Sequence, residues 1–226
     1  MTESASREPI VLPSGEVQLW TVFHHEADRR ARELEIILSA DELALRPRLG
    51  EERAKRFTTT RGMLRLLLSR YTGIPPAEIR FRYGPRGKPF LIEHGASREA
   101  RPRIQFNLSD SSDIVVFGFA SDREIGVDIE RVRTVGRWQA IAKRFYGEQE
   151  ADELLRLPEN EREHRFIARW VLEEARIKAT GQGIWLRHSP EASLLSYKSF
   201  QPAPDYYGAV AALGTDWIIR LSGVPG

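Results

Sequence analysis

The 226-residue chain contains no cysteine. Disulfides, thiolate nucleophiles and zinc–sulfur centres are therefore excluded. It also lacks a long hydrophobic run. Ile114–Ala120 is its conspicuous apolar stretch, far too short to span a bilayer. The opening residues are polar and carry no apolar signal core, so a cytoplasmic location is expected, with no membrane partner. No long run of one charge sign occurs, and the formal net charge is only +2. A pI near 9.0 on so balanced a chain does not argue for nucleic acid, and no basic, aromatic-rich strand offers a stacking surface. What is present suits a soluble globular protein: 41% hydrophobic residues, enough for a sizeable core, and 29% charged.

Alternation and helical spacing predict the elements in order. Val17–Phe23 alternates as a strand, and Ser39-Ala-Asp-Glu42 has the form of a helix-starting capping box. Arg53–Tyr71 reads as a helix stopped at Gly73, and Glu161–Thr180 as one stopped at Gly181. Strands are expected at Ile79–Tyr83, Phe106–Asn107, Ile114–Ala120 and Ile125–Glu130, and helices at Trp138–Phe145 and Glu148–Leu157. Tyr207–Leu213 and Trp217–Leu221 suggest a closing hairpin around Gly214. Arg56-Phe57 and Arg165-Phe166 each open a stretch that ends Thr-Gly, at Gly73 and Gly181. Two unrelated glycine-stopped helices explain this echo, as does a duplicated α+β unit with a site between its halves.

The segment Gly126-Val-Asp-Ile-Glu130 carries the chemistry. Side chains two apart on a strand share a side, so Asp128 and Glu130 sit together while Val127 and Ile129 face a core. Adjacent carboxylates repel unless a positive charge intervenes, and a hard divalent cation is the usual answer. On the long helix, Glu173 has arginines at i−4 and i+3 and reads as a solvated ion-pair residue. Glu174 instead interrupts the stripe Ile167, Trp170, Val171, Lys178. A carboxylate there must be paired or metal-bound. Either Glu174 and Lys178 form a buried salt bridge, or Glu174 joins Asp128 and Glu130 at a metal and Lys178 is free to meet phosphate.

These residues resemble a known family. Phe106-Asn-Leu-Ser109 with Ser111, then Gly126–Glu130, then Trp170, Glu174-Ala175, Lys178, Gly181 and Gly183 are similar to the motifs of the 4′-phosphopantetheinyl transferases, in the long two-half form. Arg56-Phe57, Gly87-Lys88-Pro89 and Arg144-Phe145 extend the match over roughly residues 39–200. The resemblance implies an α+β fold of two pseudo-symmetric halves with the active site between them. The expected halves are residues 1–115, contributing to coenzyme binding, and 116–226, carrying the metal site and the docking surface. The implied activity is transfer of 4′-phosphopantetheine from coenzyme A to a serine of an apo acyl or peptidyl carrier protein, releasing adenosine 3′,5′-bisphosphate. Such carriers serve fatty-acid, polyketide or nonribosomal peptide synthesis. The implied cofactor is magnesium, on Asp128, Glu130 and Glu174. Glu174 and Lys178 are the implied catalytic residues, Glu174 or a metal-bound water taking the serine proton. Arg53, Arg65, Lys88, Lys178 and the segment Asn107, Ser109, Asp110 and Ser111 are the implied coenzyme-binding positions. A chain holding both halves is expected to act as a monomer.

The family usually has histidine where Asp110 stands, facing a coenzyme phosphate. Aspartate there is expected to weaken coenzyme binding unless it turns away or Arg61 and Arg65 cover the phosphate. Lysine often stands at the position of Glu173, and threonine at that of Leu66. These departures favour a rival reading, a catalytically weak relative that binds carriers without modifying them, while the complete carboxylate set favours the enzyme. His24-His25, followed by Glu26 and Asp28, reads as a surface loop after the first strand rather than a metal cluster. Arg98, Arg101 and Arg103 form a basic loop that suits an acidic carrier, and Thr134–Tyr146 is a second docking candidate by resemblance.

Overall fold

The computed structural model describes residues 9–85, 87–92, 103–181 and 193–223. The chain begins with β1 (Glu16–Phe23), three short helices, α1 (His24–Ala27), α2 (Ala31–Ile36) and α3 (Ala40–Leu45), and the 22-residue α4 (Glu51–Thr72). A small hairpin follows, β2 (Phe81–Tyr83) and β3 (Pro89–Leu91), then β4 (Ile104–Ser111) and β5 (Ile114–Ser121). The second half runs β6 (Ile125–Arg131), α5 (Trp138–Tyr146), α6 (Glu148–Arg156), the 22-residue α7 (Glu159–Thr180), β7 (Leu195–Phe200) and β8 (Tyr206–Leu213). β9 (Ile218–Ser222) ends the described chain. No described helix is long and apolar enough to cross a membrane.

The internal echo is a repeat of topology. In each half a strand leads through a long helix to two further strands, and the last strand lies in the middle of its sheet: β1-β5-β4 in the first, β6-β8-β7 in the second. All four of these pairings are antiparallel. Each long helix stops at a glycine in the left-handed region, Gly73 at φ 75° and Gly181 at φ 63°. β5 pairs with β1 along its whole length, from Val17↔Ala120 to Phe23↔Ile114. A boundary between residues 115 and 116 would cut this strand. The halves meet instead at the turn after it, residues 122–124. The expected closing hairpin does not form. β9 crosses back and pairs in parallel with β1, Glu16 opposite Ile218, covering the first sheet's open edge. β7 was not expected, because its alternation of Ser and Lys with apolar residues marks only a half-covered edge strand.

Alternation along the strands sets four layers. Trp20, Val22, Val115, Phe117 and Phe119 face α4, while Val17, Leu19, Ile114 and Val116 face Ile125, Val127, Ile129 and Val210 of the second sheet. Ala209 and Ala211 face Val171, Ala175 and Ala179 of α7. Val127 and Ile129 thus enter the core between the sheets, as expected. Gly126, Asp128 and Glu130 take the opposite side, beneath α7. There the helix rests on bare backbone. A Cβ on Gly126 would lie 2.0 Å from the Ala175 carbonyl oxygen and 2.3 Å from the Ala179 nitrogen. Neither is a flexible side chain, so the helix would have to lift. Overpacking of a core costs about 1–3 kcal/mol and occasionally more. Gly126→Ala is expected to exceed about 3 kcal/mol in urea unfolding or to yield no folded protein. Gly136→Ala, with open space around its Cβ, is expected to stay within about 0.5 kcal/mol of the parent.

Candidate active site

β6 is an edge strand of its sheet, and β4 of the other half satisfies its open side with side chains rather than backbone. Val127 N–H donates to Asn107 Oδ1 at 2.9 Å, and Arg131 N–H to Ser111 Oγ at 3.2 Å. Ser109 Oγ donates to Asp128 Oδ1 at 2.8 Å, and Ser111 Oγ to Glu130 Oε2 at 2.8 Å. The Asn107–Ser111 stretch, expected to bind coenzyme, therefore grips the carboxylate strand through Asn107, Ser109 and Ser111. Of these three, Asn107 also lines the neighbouring cleft.

Asp128 is 5% exposed. Lys178 Nζ donates to its Oδ1 at 2.6 Å and to Ser109 Oγ at 3.0 Å. Lys178 thus pairs across elements with Asp128, and no ion pair joins it to Glu174 among the described residues. It is engaged, neither paired with Glu174 nor free, the two alternatives that the sequence left open. Burial raises the Asp128 pKa above the usual carboxylate range, against the opposing pull of Lys178 and Ser109. Burial also raises that of Glu174, helped by the negative charges of Asp128 and Glu130. Glu173 pairs with Arg176 at 3.1 Å and Arg169 at 3.6 Å, but the Glu173 and Arg176 side chains are shielded rather than solvated.

As the side chains stand, no group of three or more His, Asp or Glu donors among the described residues is gathered closely enough to hold a metal ion. The donor set nonetheless suits one. Asp128 Oδ2 is buried without a hydrogen-bond partner, an unusual state for a carboxylate oxygen. Glu130 and Glu174 are half-buried beside it and of the same sign.

Beside this centre lies a cleft of about 460 Å³, walled by Thr60 and Arg61 of α4, Leu108 of β4, the β2–β3 hairpin with Tyr83 and Lys88, and Glu174, Ile177 and Lys178 of α7. Lys88 lies in the cleft wall, but its ammonium is turned onto backbone. Nζ donates to the carbonyls of Lys178 at 2.9 Å, Ala179 at 3.2 Å and Ile125 at 3.3 Å. A cation on the last carbonyls of a helix is favourable, and this one ties the first half to the end of α7. Burial pushes the Lys88 pKa down.

Arg65 corrects the expectation most clearly. It is 1% exposed, and donates to Glu42 Oε2 at 2.7 Å and to the carbonyls of Pro76 and Ile79, each at 2.9 Å. It supports the core and does not face the cleft. Arg61 Nε donates to the other Glu42 oxygen at 2.6 Å, and its Nη2 to Tyr83 Oη at 2.9 Å. Arginines at i and i+4 among the leucines of α4 were the readable sign that a buried acid awaited them. Arg53 is exposed in the first turn of α4 and is not brought to the cleft wall. His24 is 5% exposed in α1, not part of a solvated loop, and bonds Asp110. Asp110 also pairs with Arg56, so its carboxylate is compensated. Of the expected basic loop, Arg98 and Arg101 lie outside the described residues, as does Gly183. Arg103 is exposed, with its backbone N–H on Asp122.

Comparison with known proteins places this geometry. The family model described as the 4′-phosphopantetheinyl transferase superfamily matches residues 124–207, and that of the 4′-phosphopantetheinyl transferase N-terminal region matches residues 24–122. The chain is 36% identical over 176 residues to the 4′-phosphopantetheinyl transferase HetI of Nostoc sp., covering 77% of this chain and 73% of that one. The chain belongs to the 4′-phosphopantetheinyl transferase superfamily. Identity is 37% over 149 residues to a putative 4′-phosphopantetheinyl transferase of Synechocystis sp., covering 66% of this chain and 58% of that relative. It is 32% over 124 residues to the 4′-phosphopantetheinyl transferase Sfp of Bacillus subtilis, covering 55% and 51%. The alignments thus span little more than half of these last two relatives. The junction of the two family matches, between residues 122 and 124, coincides with the turn that separates the halves.

Burial alone would raise the Glu42 carboxyl, but the Ser39 backbone N–H, Arg61 and Arg65 outweigh it and hold its pKa below the usual value. An unfolded glutamate titrates near about 4.3. The stabilisation is therefore fully present above that value and is lost as pH falls through the lower, folded one. Glu42→Gln is expected to lose about 3–5 kcal/mol at pH 7, because two shielded guanidinium groups are left without their acid. Urea unfolding from neutral pH down through the carboxylate range should show a shallower acid loss in this variant than in the parent.

Proposed function

We propose that the protein transfers 4′-phosphopantetheine from coenzyme A to a serine of an apo carrier protein. The observation that carries this reading is the pairing of Lys178, at the wall of the cleft beside Glu174, with Asp128 buried behind it, whose other oxygen has no partner, in a chain of this superfamily. The serine oxygen attacks the β-phosphorus, and the bond from that phosphorus to the bridging oxygen breaks. Adenosine 3′,5′-bisphosphate leaves with the electron pair. Glu174 is the base that takes the serine proton. Without a bound cation, its burial and the charges of Asp128 and Glu130 raise its pKa, the direction that strengthens a base. Lys178 supplies a fixed positive charge for the phosphate oxygens. Asp128 orients that ammonium, and Ser109 orients Asp128.

Asp128, Glu130 and Glu174 would hold magnesium, with Asp128 Oδ2 as the unengaged buried donor. When bound, the ion neutralises charge that builds on the phosphate oxygens. Lys88 reaches the cleft from the hairpin and holds the end of α7 in place. The carrier would approach across the α5 region, Thr134–Tyr146. Two halves in one chain complete the site without a second copy, which supports a monomer acting on soluble partners.

Incubation with coenzyme A, magnesium and an apo carrier protein is expected to raise the carrier's mass by one phosphopantetheine unit. Chelation of divalent ions should abolish the gain. Glu174→Gln should reduce turnover by about 10²-fold or more. Carrier binding without a mass gain, across several carriers, would point to the binding-only relative.

A further inference from the structure

The cluster around Asp110 lies apart from the carboxylate–lysine centre. Asp110 follows Leu108 on the α4-facing side of β4, and Leu108 lines the cleft. Arg56 precedes Thr60, another lining residue, by one turn of α4. The pair therefore lies next along α4 and β4 from residues that line the cleft. Both Asp110 oxygens are taken: Oδ1 accepts from Arg56 Nη2 at 2.6 Å, and Oδ2 lies 2.6 Å from His24 Nε2. Arg56 Nη2 also donates to the Ser112 carbonyl. These bonds engage one nitrogen of the guanidinium. Nε and Nη1 have no partner among the described residues, and the side chain is 39% exposed. On the other flank, His24 is buried, and its Nδ1 has no partner. Its one side-chain hydrogen bond is to Asp110, so the ring is placed to fix that carboxylate.

We propose that Arg56 binds a phosphate of coenzyme A, and that Asp110 and His24 are positioning residues that hold its guanidinium beside the cleft. This rests on the coenzyme-dependent reading above. A guanidinium is a planar fork, and a carboxylate on one edge leaves the other edge aimed and free. The aspartate then does not repel the coenzyme. It restrains a cation whose flexible stem would otherwise lose rotamer freedom on binding. The sign of the Asp110 effect follows. Removing a repulsive carboxylate would tighten coenzyme binding, whereas removing a positioning one weakens it.

The test is calorimetric titration of coenzyme A into the full chain without carrier, followed by steady-state kinetics with carrier. Arg56→Ala is expected to weaken binding about 10-fold or more, as for loss of a charge-assisted hydrogen bond. Asp110→Ala and His24→Ala are each expected to weaken it about 3–10-fold. In kinetics the loss should fall on the KM for coenzyme A, with kcat within about twofold of the parent. The double variant Asp110→Ala/His24→Ala should be no weaker than Asp110→Ala alone, because His24 acts through Asp110. Asp110→Asn, which keeps the shape but removes the charge that holds Arg56 and turns one acceptor oxygen into an N–H donor, serves if the alanine variant does not fold, with weaker coenzyme binding again expected. Tighter or unchanged coenzyme binding in a folded Asp110 variant overturns the inference, as does a fall in Tm alone with Kd unchanged. A parent that binds coenzyme A while these variants match it sinks this inference and spares the proposed function. A parent that does not bind coenzyme A sinks both.

Discussion

The packing of α7 directly on the backbone of β6 at Gly126 is the contact on which the site depends. It places Glu174 and Lys178, one turn apart beside the contact residues Ala175 and Ala179, over Asp128, two residues along the strand. A side chain at residue 126 would lift the helix and open that distance. The strand is held from its other side by Asn107, Ser109 and Ser111, which belong to the opposite half. Lys88, also from that half, closes on the carbonyls at the end of α7. The site is therefore a joint between two similar units, and neither unit contains it alone.

Most charges around the cleft are compensated in small closed sets. Glu42 is shared by Arg61 and Arg65, Asp110 by Arg56 and His24, and Asp128 by Lys178 and Ser109. Burying an ionised group is tolerable only when it is paired and hydrogen-bonded. Asp128 Oδ2 and Glu174 stand outside this rule: the first is buried without a partner, and the second has no ion pair among the described residues while lying near two other acids. Uncompensated acids of this kind are where a substrate proton or a cation is expected to complete the arrangement. The compensated sets hold the walls, and the uncompensated acids leave room for a cation or a proton.

Features governed by local rules were legible. Period-two alternation assigned the faces of β6 correctly, and the glycine stops located the ends of α4 and α7, because each depends on residues within one turn or one pleat. The capping box at Ser39 formed as read. What escaped was set by distant partners. Glu42 appeared only as a local cap, yet its second task is to receive arginines 19 and 23 residues away. His24 looked solvated because Asp110, 86 residues on, cannot be seen from its own neighbourhood. β9 was read into a hairpin by proximity in sequence, whereas the open edge of β1 offered it a parallel partner. Arg65 was assigned to coenzyme by resemblance, but a guanidinium on the leucine-lined face of α4 points inward, onto Glu42 and the carbonyls of Pro76 and Ile79.

The equal topology of the halves makes their unequal chemistry informative. Each contributes a 22-residue helix that crosses its own sheet and presents polar residues toward the shared cleft. From α4 these are Arg61 in the wall and Arg56, one turn before the lining residue Thr60; from α7 they are Glu174 and Lys178. The first half thus lines the cleft with permanent cations braced by acids behind them. The second supplies carboxylates that hold a lysine and leave lone pairs open. A polyanion can lie along the first wall while the acids opposite accept a proton or a cation that the anion brings. A symmetric pair of walls would do neither, since two arginine faces would offer no base and two acidic faces would expel the phosphate. The division of sign between two halves of equal topology would thus allow a phosphate-rich ligand and a proton acceptor to share one cleft.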